Sequence, residues 1–144
     1  ATVANYGYQS VQQLPAGNAL ATFPCEGSIV PWEAHGAENP DPIPGRDWLN
    51  KPGGTPILFQ VRTGQTLVVN SVSLKDASGN VLPIAVTLTA VNDPNKILSA
   101  NQAVVIPDLT LTRGATYFVD ASGTNNGQPW SQKFKFSVAA TAPQ

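Results

Sequence analysis

A chain of 144 residues is long enough to bury a core without disulfide staples and short enough to hold a single domain. Hydrophobic residues make up 42%, which excludes a disordered tail, while charged residues make up only 12%, about half the usual share. The net charge is −1 and the eight Lys and Arg residues are scattered, so the clustered cations that nucleic acid demands are missing.

In chain order, residues Ala1 to Gly17, with Tyr6, Tyr8, Val11 and Leu14, read as a lead-in or edge strand from a preceding domain. This lead-in extends to residue 22, and the main domain spans 23–144. A short apolar strand runs from Asn18 to Phe23 and stops at Pro24, and Ser28 to Trp32 reads as its continuation. Residues Glu33 to Gly54 hold Pro40, Pro42, Pro44 and Pro52 among four glycines. Proline removes ladder donors, so this stretch cannot be a central strand. A loop of this length inside a compact domain is either functional or pinned by its own apolar groups. Ile43 and Trp48 are the pins, and Pro40, Pro42 and Pro44 are expected to hold the segment extended as a collar on the domain.

Strand signals dominate the rest. From Pro56 to Arg62, Ile57, Phe59 and Val61 share one face and Leu58, Gln60 and Arg62 the other. Thr63 to Gln65 is a turn. In Thr66 to Lys75 the inward phase switches between Leu67/Val69 and Val72/Leu74, which places a bulge near Asn70 and Ser71. After a turn at Asp76 to Asn80, Val81 to Val91 reads as one strand with Ile84, Val86, Leu88 and Ala90 in phase. Asn92 to Asn95 is a turn capped by Asx side chains. Lys96 to Val104 is the nearest approach to a helix and is too short and polar to stand alone. Ala103 to Pro107 and Tyr117 to Ala121 are strands, and Gly123 to Gly127 is a turn. In the last strand Trp130, Phe134, Phe136 and Val138 point one way while Lys133 and Lys135 point the other, the alternation of a half-buried antiparallel strand.

Seven to nine short strands without helices predict an all-β antiparallel sandwich. The Leu111/Gly114/Tyr117 spacing favours an immunoglobulin-like, fibronectin III-like form, because it fits a tyrosine corner. Phe134 and Phe136 are its core residues. Long exposed edges in such a fold allow dimerisation by strand pairing.

No catalytic, cofactor or metal site is expected. The lone Cys25 cannot form an internal disulfide and reads as a small buried residue. His35 sits in a Pro/Gly loop and reads as solvated, and with Cys25 it supplies too few ligands for zinc. Glu26, Glu33, Glu38, Asp41 and Asp47 cluster along one segment. A glycosidase would need two of them opposed across a cleft, and calcium would need an Asp-x-Asp-x-Asp-Gly loop that is absent. Of the three tryptophans, Trp130 lies in phase with the core. Trp48 is the ring most open to stacking on a sugar, with Glu38, Asp41 and Asp47 as its polar neighbours. Tucking under the loop is the competing place for Trp48. No apolar run reaches the roughly 20 residues of a membrane span. The absence of methionine, position 1 included, suggests a processed or excised part of a longer chain.

Three runs carry a resemblance: Phe23-Pro24-Cys25-Glu26-Gly27, Glu38 to Pro44 with proline at every second position, and Gly54-Thr55-Pro56-Ile57. Together they resemble the C-terminal region of bacterial secreted proteins of the CAP superfamily (cysteine-rich secretory proteins, antigen 5 and pathogenesis-related proteins). There a YP-x-x-G…E-x-P-x-P-x-P…G-x-P-(I/V) pattern precedes an immunoglobulin-like half. Leu74 to Gly79, Asn92 to Asn95, Leu111 to Tyr117 and Gly123 to Gly127 are similar to that half, so the likeness covers Phe23 to Val138. It implies a non-catalytic accessory module, secreted, periplasmic or on the cell surface. The partner it implies is a neighbouring CAP-like domain of the same polypeptide; a cell-surface polysaccharide or protein is the alternative partner that the loop aromatics suggest. It carries over no CAP functional residue, because the CAP His/Glu cavity is built on helices that this sequence lacks.

Overall fold

Strands form where β-branched and apolar residues alternate between Gly, Pro and Asn turns. The computed structural model describes residues 19–143, and among these it holds strands and no helix. The expected lead-in with Tyr6, Tyr8, Val11 and Leu14 lies outside the described residues. The strands are β1 (Ala21–Phe23), β2 (Ser28–Val30), β3 (Ile57–Gln60), β4 (Leu67–Asp76), β5 (Val81–Leu82), β6 (Ile84–Thr89), β7 (Gln102–Pro107), β8 (Thr116–Asn125) and β9 (Gln128–Val138). They form a four-stranded sheet, β1-β3-β7-β6, and a five-stranded sheet, β2-β9-β8-β4-β5.

The two sheets face each other across one apolar core. Ile57 and Phe59 of β3 and Ala103 and Val105 of β7 meet Leu74 of β4, Tyr117, Val119 and Ala121 of β8, and Phe134, Phe136 and Val138 of β9. Phe59 packs edge-on to Phe134, with ring centroids 6.2 Å apart, and Tyr117 lies 5.9 Å from Phe136. At the mouth of β8 the Thr112 amide donates to the Tyr117 hydroxyl at 2.7 Å. Leu111 is buried beside it, and Gly114 turns the chain at φ +80°. The β4–β8 ladder slips between Val69 and Ser71, where the phase switch in the sequence places a bulge. Gly123 lies opposite. A Cβ there would stand 1.8 Å from the Val68 carbonyl oxygen, so only glycine fits.

β1 is an edge strand of the four-stranded sheet, paired with β3 from Ala21 to Phe23. Several expectations need correction. Ser28 to Trp32 does not continue β1: β1 pairs with β3 in one sheet, and β2 crosses to the other to lie along β9. That β2–β9 pair is parallel, in an otherwise antiparallel fold. Val81 to Val91 is likewise two strands. Pro83 separates β5, on β4, from β6, on β7, and the chain changes sheet there. The final hairpin turns at Asn126-Gly127, with β8 running on to Asn125. Cys25 is exposed, because it lies in the turn between β1 and β2 rather than in the core.

The proline-rich segment is no extended strip. It runs as successive bends and turns, with an Arg46-to-Ile43 turn bond and a Lys51-to-Asp47 one. Its apolar groups close over the outer face of the four-stranded sheet. Trp48, 6% exposed, joins Leu58, Leu88, Leu98, Val104 and Ile106 in a second core, with Ile43 against it. This explains why every residue of β3 and β7 is buried, as both faces of those strands are covered.

Candidate functional site

The second core fixes the collar, and the collar's edge builds a groove. From Pro31 onward the backbone is tied at each step. The Thr55 hydroxyl donates to the Trp32 carbonyl at 2.6 Å, the Leu111 amide donates to the Glu33 carbonyl at 2.9 Å, and His35 exchanges two backbone bonds with Gly53. Arg113 pairs with the Glu33 carboxylate and also reaches the Pro31 carbonyl. Gly53 is glycine because a Cβ would meet Ile106 at 2.9 Å and the Trp48 ring at 3.3 Å.

Phe23, Val30, Pro31, Trp32, His35 and Glu38 lie along a groove of about 460 Å³, floored by Thr55 and Pro56. Its aromatic side chains are open to solvent: Trp32 is 56% exposed and Phe23 41%. The polar side is closed. His35, expected to be solvated, is only 5% exposed, with its ring edge-on to Trp48 at 5.2 Å. Its Nδ1 lies 3.9 Å from Glu38 Oε1, too long for a hydrogen bond. His35 Nε2 and Glu38 Oε2 are both buried without a hydrogen-bond partner.

Burial sets the charge of this pair. It holds the imidazole below its ordinary pKa, against a smaller upward pull from the negative Asp41. It pushes the Glu38 carboxyl up to about 7. Burial thus favours the neutral form of both groups, in which each can donate and accept hydrogen bonds.

The remaining sequence candidates are spread differently. Trp48 is not an exposed ring. Its indole N–H donates to Asp41 Oδ1 at 3.0 Å, Arg46 stacks over it at 4.9 Å, and the Ile43 amide shares the same carboxylate oxygen. Asp41 thus holds the loop together. Asp47 accepts from the Asn50 amide and side chain within its own turn, which lowers its pKa. Glu26 accepts from the Lys135 amide at 2.8 Å. Of the expected ligand contacts Trp48, Glu38, Asp41 and Asp47, only Glu38 lines the groove.

Sequence reasoning did not pick out Phe23, favoured Trp48 over Trp32 as the exposed ring, and read His35 as solvated. The signal available was the short spacing of Trp32 and His35 beside Pro31, a residue pair on a stretch too constrained to be a plain linker. Among the described residues no group of three or more His, Cys, Asp or Glu converges as metal ligands would, and no helix is long and apolar enough to cross a membrane.

A second concavity, about 400 Å³, lies on the outer face of the five-stranded sheet among Phe118, Lys75, Lys133 and Lys135, with Glu26 and Asp120. Its charges alternate in sign, and none of the buried unpaired polar atoms reaches it. The chain matches no known family model, no curated protein and no solved structure.

Proposed function

We propose that this chain is a non-catalytic accessory and interaction module of a secreted or periplasmic bacterial protein, carried beside a CAP-like domain. We read its sandwich as immunoglobulin-like. Support for that reading comes from the strand order, since β1-β3-β7-β6 follows the ABED sheet and β9-β8-β4 the GFC sheet. The Tyr117 hydroxyl, taken up by a backbone amide five residues upstream at the start of β8, fits the tyrosine corner of such domains.

The observation that carries the non-catalytic reading is the use made of the acidic cluster. Glu26, Glu33, Asp41 and Asp47 are each engaged in holding loop or strand backbone in position or in an ion pair. Glu38 remains as the single carboxyl among the described residues of the groove, whereas glycoside hydrolysis uses two. The CAP neighbour rests on the Phe23 to Gly27, Glu38 to Pro44 and Gly54 to Ile57 runs.

Two experiments test the proposal. The residues encoded ahead of Ala1 should include a CAP-like domain, and an unrelated neighbour removes that part of the reading. Chromogenic glycosides and esters should be turned over no faster than in buffer. Turnover that disappears in Glu38→Gln refutes a purely binding role.

A further inference from the structure

We infer that the Phe23/Trp32/His35/Glu38 groove is a binding site for a neutral carbohydrate, with a sugar ring stacked on Trp32 and its hydroxyls bonded to the His35–Glu38 pair. The inference rests on the interaction-module reading and names the ligand class and the place.

Four observations narrow the ligand. First, no Lys or Arg among the described residues lines the groove, so a phosphate or carboxylate ligand would find no counter-charge there. Second, a peptide added as a strand needs free backbone donors and acceptors. The groove offers few: Pro31 and Pro56 have no N–H, the Trp32 and Glu33 carbonyls are taken up by Thr55 and Leu111, and His35 is paired with Gly53 on both sides. Third, the aromatic side is exposed on a backbone that is held in place. Trp32 presents its ring from a backbone tied on either side, so little conformational freedom is lost when a ligand docks. Fourth, the polar side is a buried imidazole and a carboxyl whose Nε2 and Oε2 have no partner in the protein. Buried polar atoms are rarely left unpaired, and a ligand hydroxyl would satisfy both donor and acceptor needs.

A pyranose ring has the matching chemistry. Its C–H face is apolar and slightly positive, suited to the negative face of an indole. Its rim carries hydroxyls that both donate and accept. A cation held between Trp32 and Phe23 would gain most from an ionised Glu38 beside the rings, and burial opposes that ionisation below about pH 7. The unpaired atoms are closed to water, so a hydroxyl meets them only when a side chain swings aside. Glu38, a quarter exposed, is the one placed to move.

The test is a titration of the ¹⁵N-labelled chain, followed also by tryptophan emission, with cello-, manno- and chito-oligosaccharides and with tetramethylammonium as the cationic competitor. At least one neutral sugar should bind and shift the Trp32 indole signal while leaving that of Trp48 in place. Trp32→Ala should weaken binding about tenfold or more at an unchanged melting temperature. Phe23→Ala, also at an exposed position, should weaken it less and guards against a Trp32 variant that fails to fold. Silence of every sugar at about 10 mM, the weak end of useful affinities, overturns the inference, as does sugar binding indifferent to Trp32→Ala. Binding of tetramethylammonium alone overturns it in favour of a cation cage. Each of these failures leaves the interaction module standing, whereas cleavage of a bound sugar in the same tube strikes the module reading itself.

Discussion

Replacing Glu38 with glutamine should stabilise the protein in alkali and leave it unchanged in acid. The carboxyl has an ordinary pKa of 4.5, and burial pushes it up to about 7 in the folded chain. Below pH 4.5 both the folded and unfolded chains hold the proton, and burial of this group carries no ionisation penalty. Between 4.5 and about 7 the unfolded chain gives up the proton while the folded chain keeps it. Stability therefore falls as pH rises, and the whole difference is lost above about 7. At about 1.4 kcal/mol for each pH unit, that gap corresponds to about 3.5 kcal/mol. A quarter of the side chain is exposed, although Oε2 is not, so water relieves part of the penalty. The working range is thus about 1–3 kcal/mol. Glutamine has the size of the protonated acid and never ionises. Urea unfolding followed by tryptophan emission at pH 4 to 8.5 should give coincident midpoints for the two proteins at pH 4. The Glu38→Gln midpoint should be progressively higher toward pH 8.5. Taking the difference between the two cancels other titrations, such as His35, which resists a proton below its ordinary value and weakens the fold on the acid side. Parallel curves across the whole range would show that Glu38 is solvated and would undo the description of the groove's polar side.

Trp48→Ala should cost about 3–5 kcal/mol, as for other buried large aromatics, and free the collar. Trypsin cleavage after Arg46 should then become fast, while the parent chain resists it. Tyr117→Phe removes the acceptor for the Thr112 amide and should cost about 1–2 kcal/mol in a denaturant titration. Gly123→Ala drives a methyl into the Val68 carbonyl and should cost about 3 kcal/mol or more, or prevent folding. Cys25 is exposed, so one thiol per chain should react with Ellman's reagent without denaturant.

The strands that proved readable are those whose neighbours lie on one side only. β9 alternates Phe134 and Phe136 with Lys133 and Lys135 because one face meets the core and the other meets water. Leu67 to Leu74 encodes its own bulge in the change of parity. Legibility fails where a strand's environment is supplied by remote chain. Gln102 to Pro107 is buried throughout, a run that alternation cannot explain, because the collar covers the face that a bare sandwich would leave wet. Val81 to Val91 looks continuous, since periodicity says nothing of the change of sheet at Pro83. His35 reads as solvated for the same reason, whereas Trp48, open to either place in the sequence, takes the pin's place under the loop. Loop composition suggests exposure, but Gly53, Ile106 and Leu58, far along the chain or on another strand, decide it.

The collar connects these misreadings to function. By closing the outer face of the four-stranded sheet, the segment from Glu33 to Gly54 makes a second core, and the Asp41–Trp48 bond and the Arg46–Asp108 ion pair lock it down. A segment held only for stability would be expected to leave its polar groups paired or wet. This one leaves His35 Nε2 and Glu38 Oε2 buried and unpaired. Correcting that would be simple, since an apolar residue at position 38 would remove the burial penalty altogether. Departures from local consistency of this kind collect where a protein meets a ligand. The departure here adjoins the exposed Trp32 and Phe23, on backbone fixed by Thr55, Leu111 and Gly53. The stability lost at Glu38 and the recognition offered at Trp32 are therefore two aspects of one site. Glu38→Gln, if it strengthens the fold in alkali, should at the same time alter the groove's affinity for the proposed sugar.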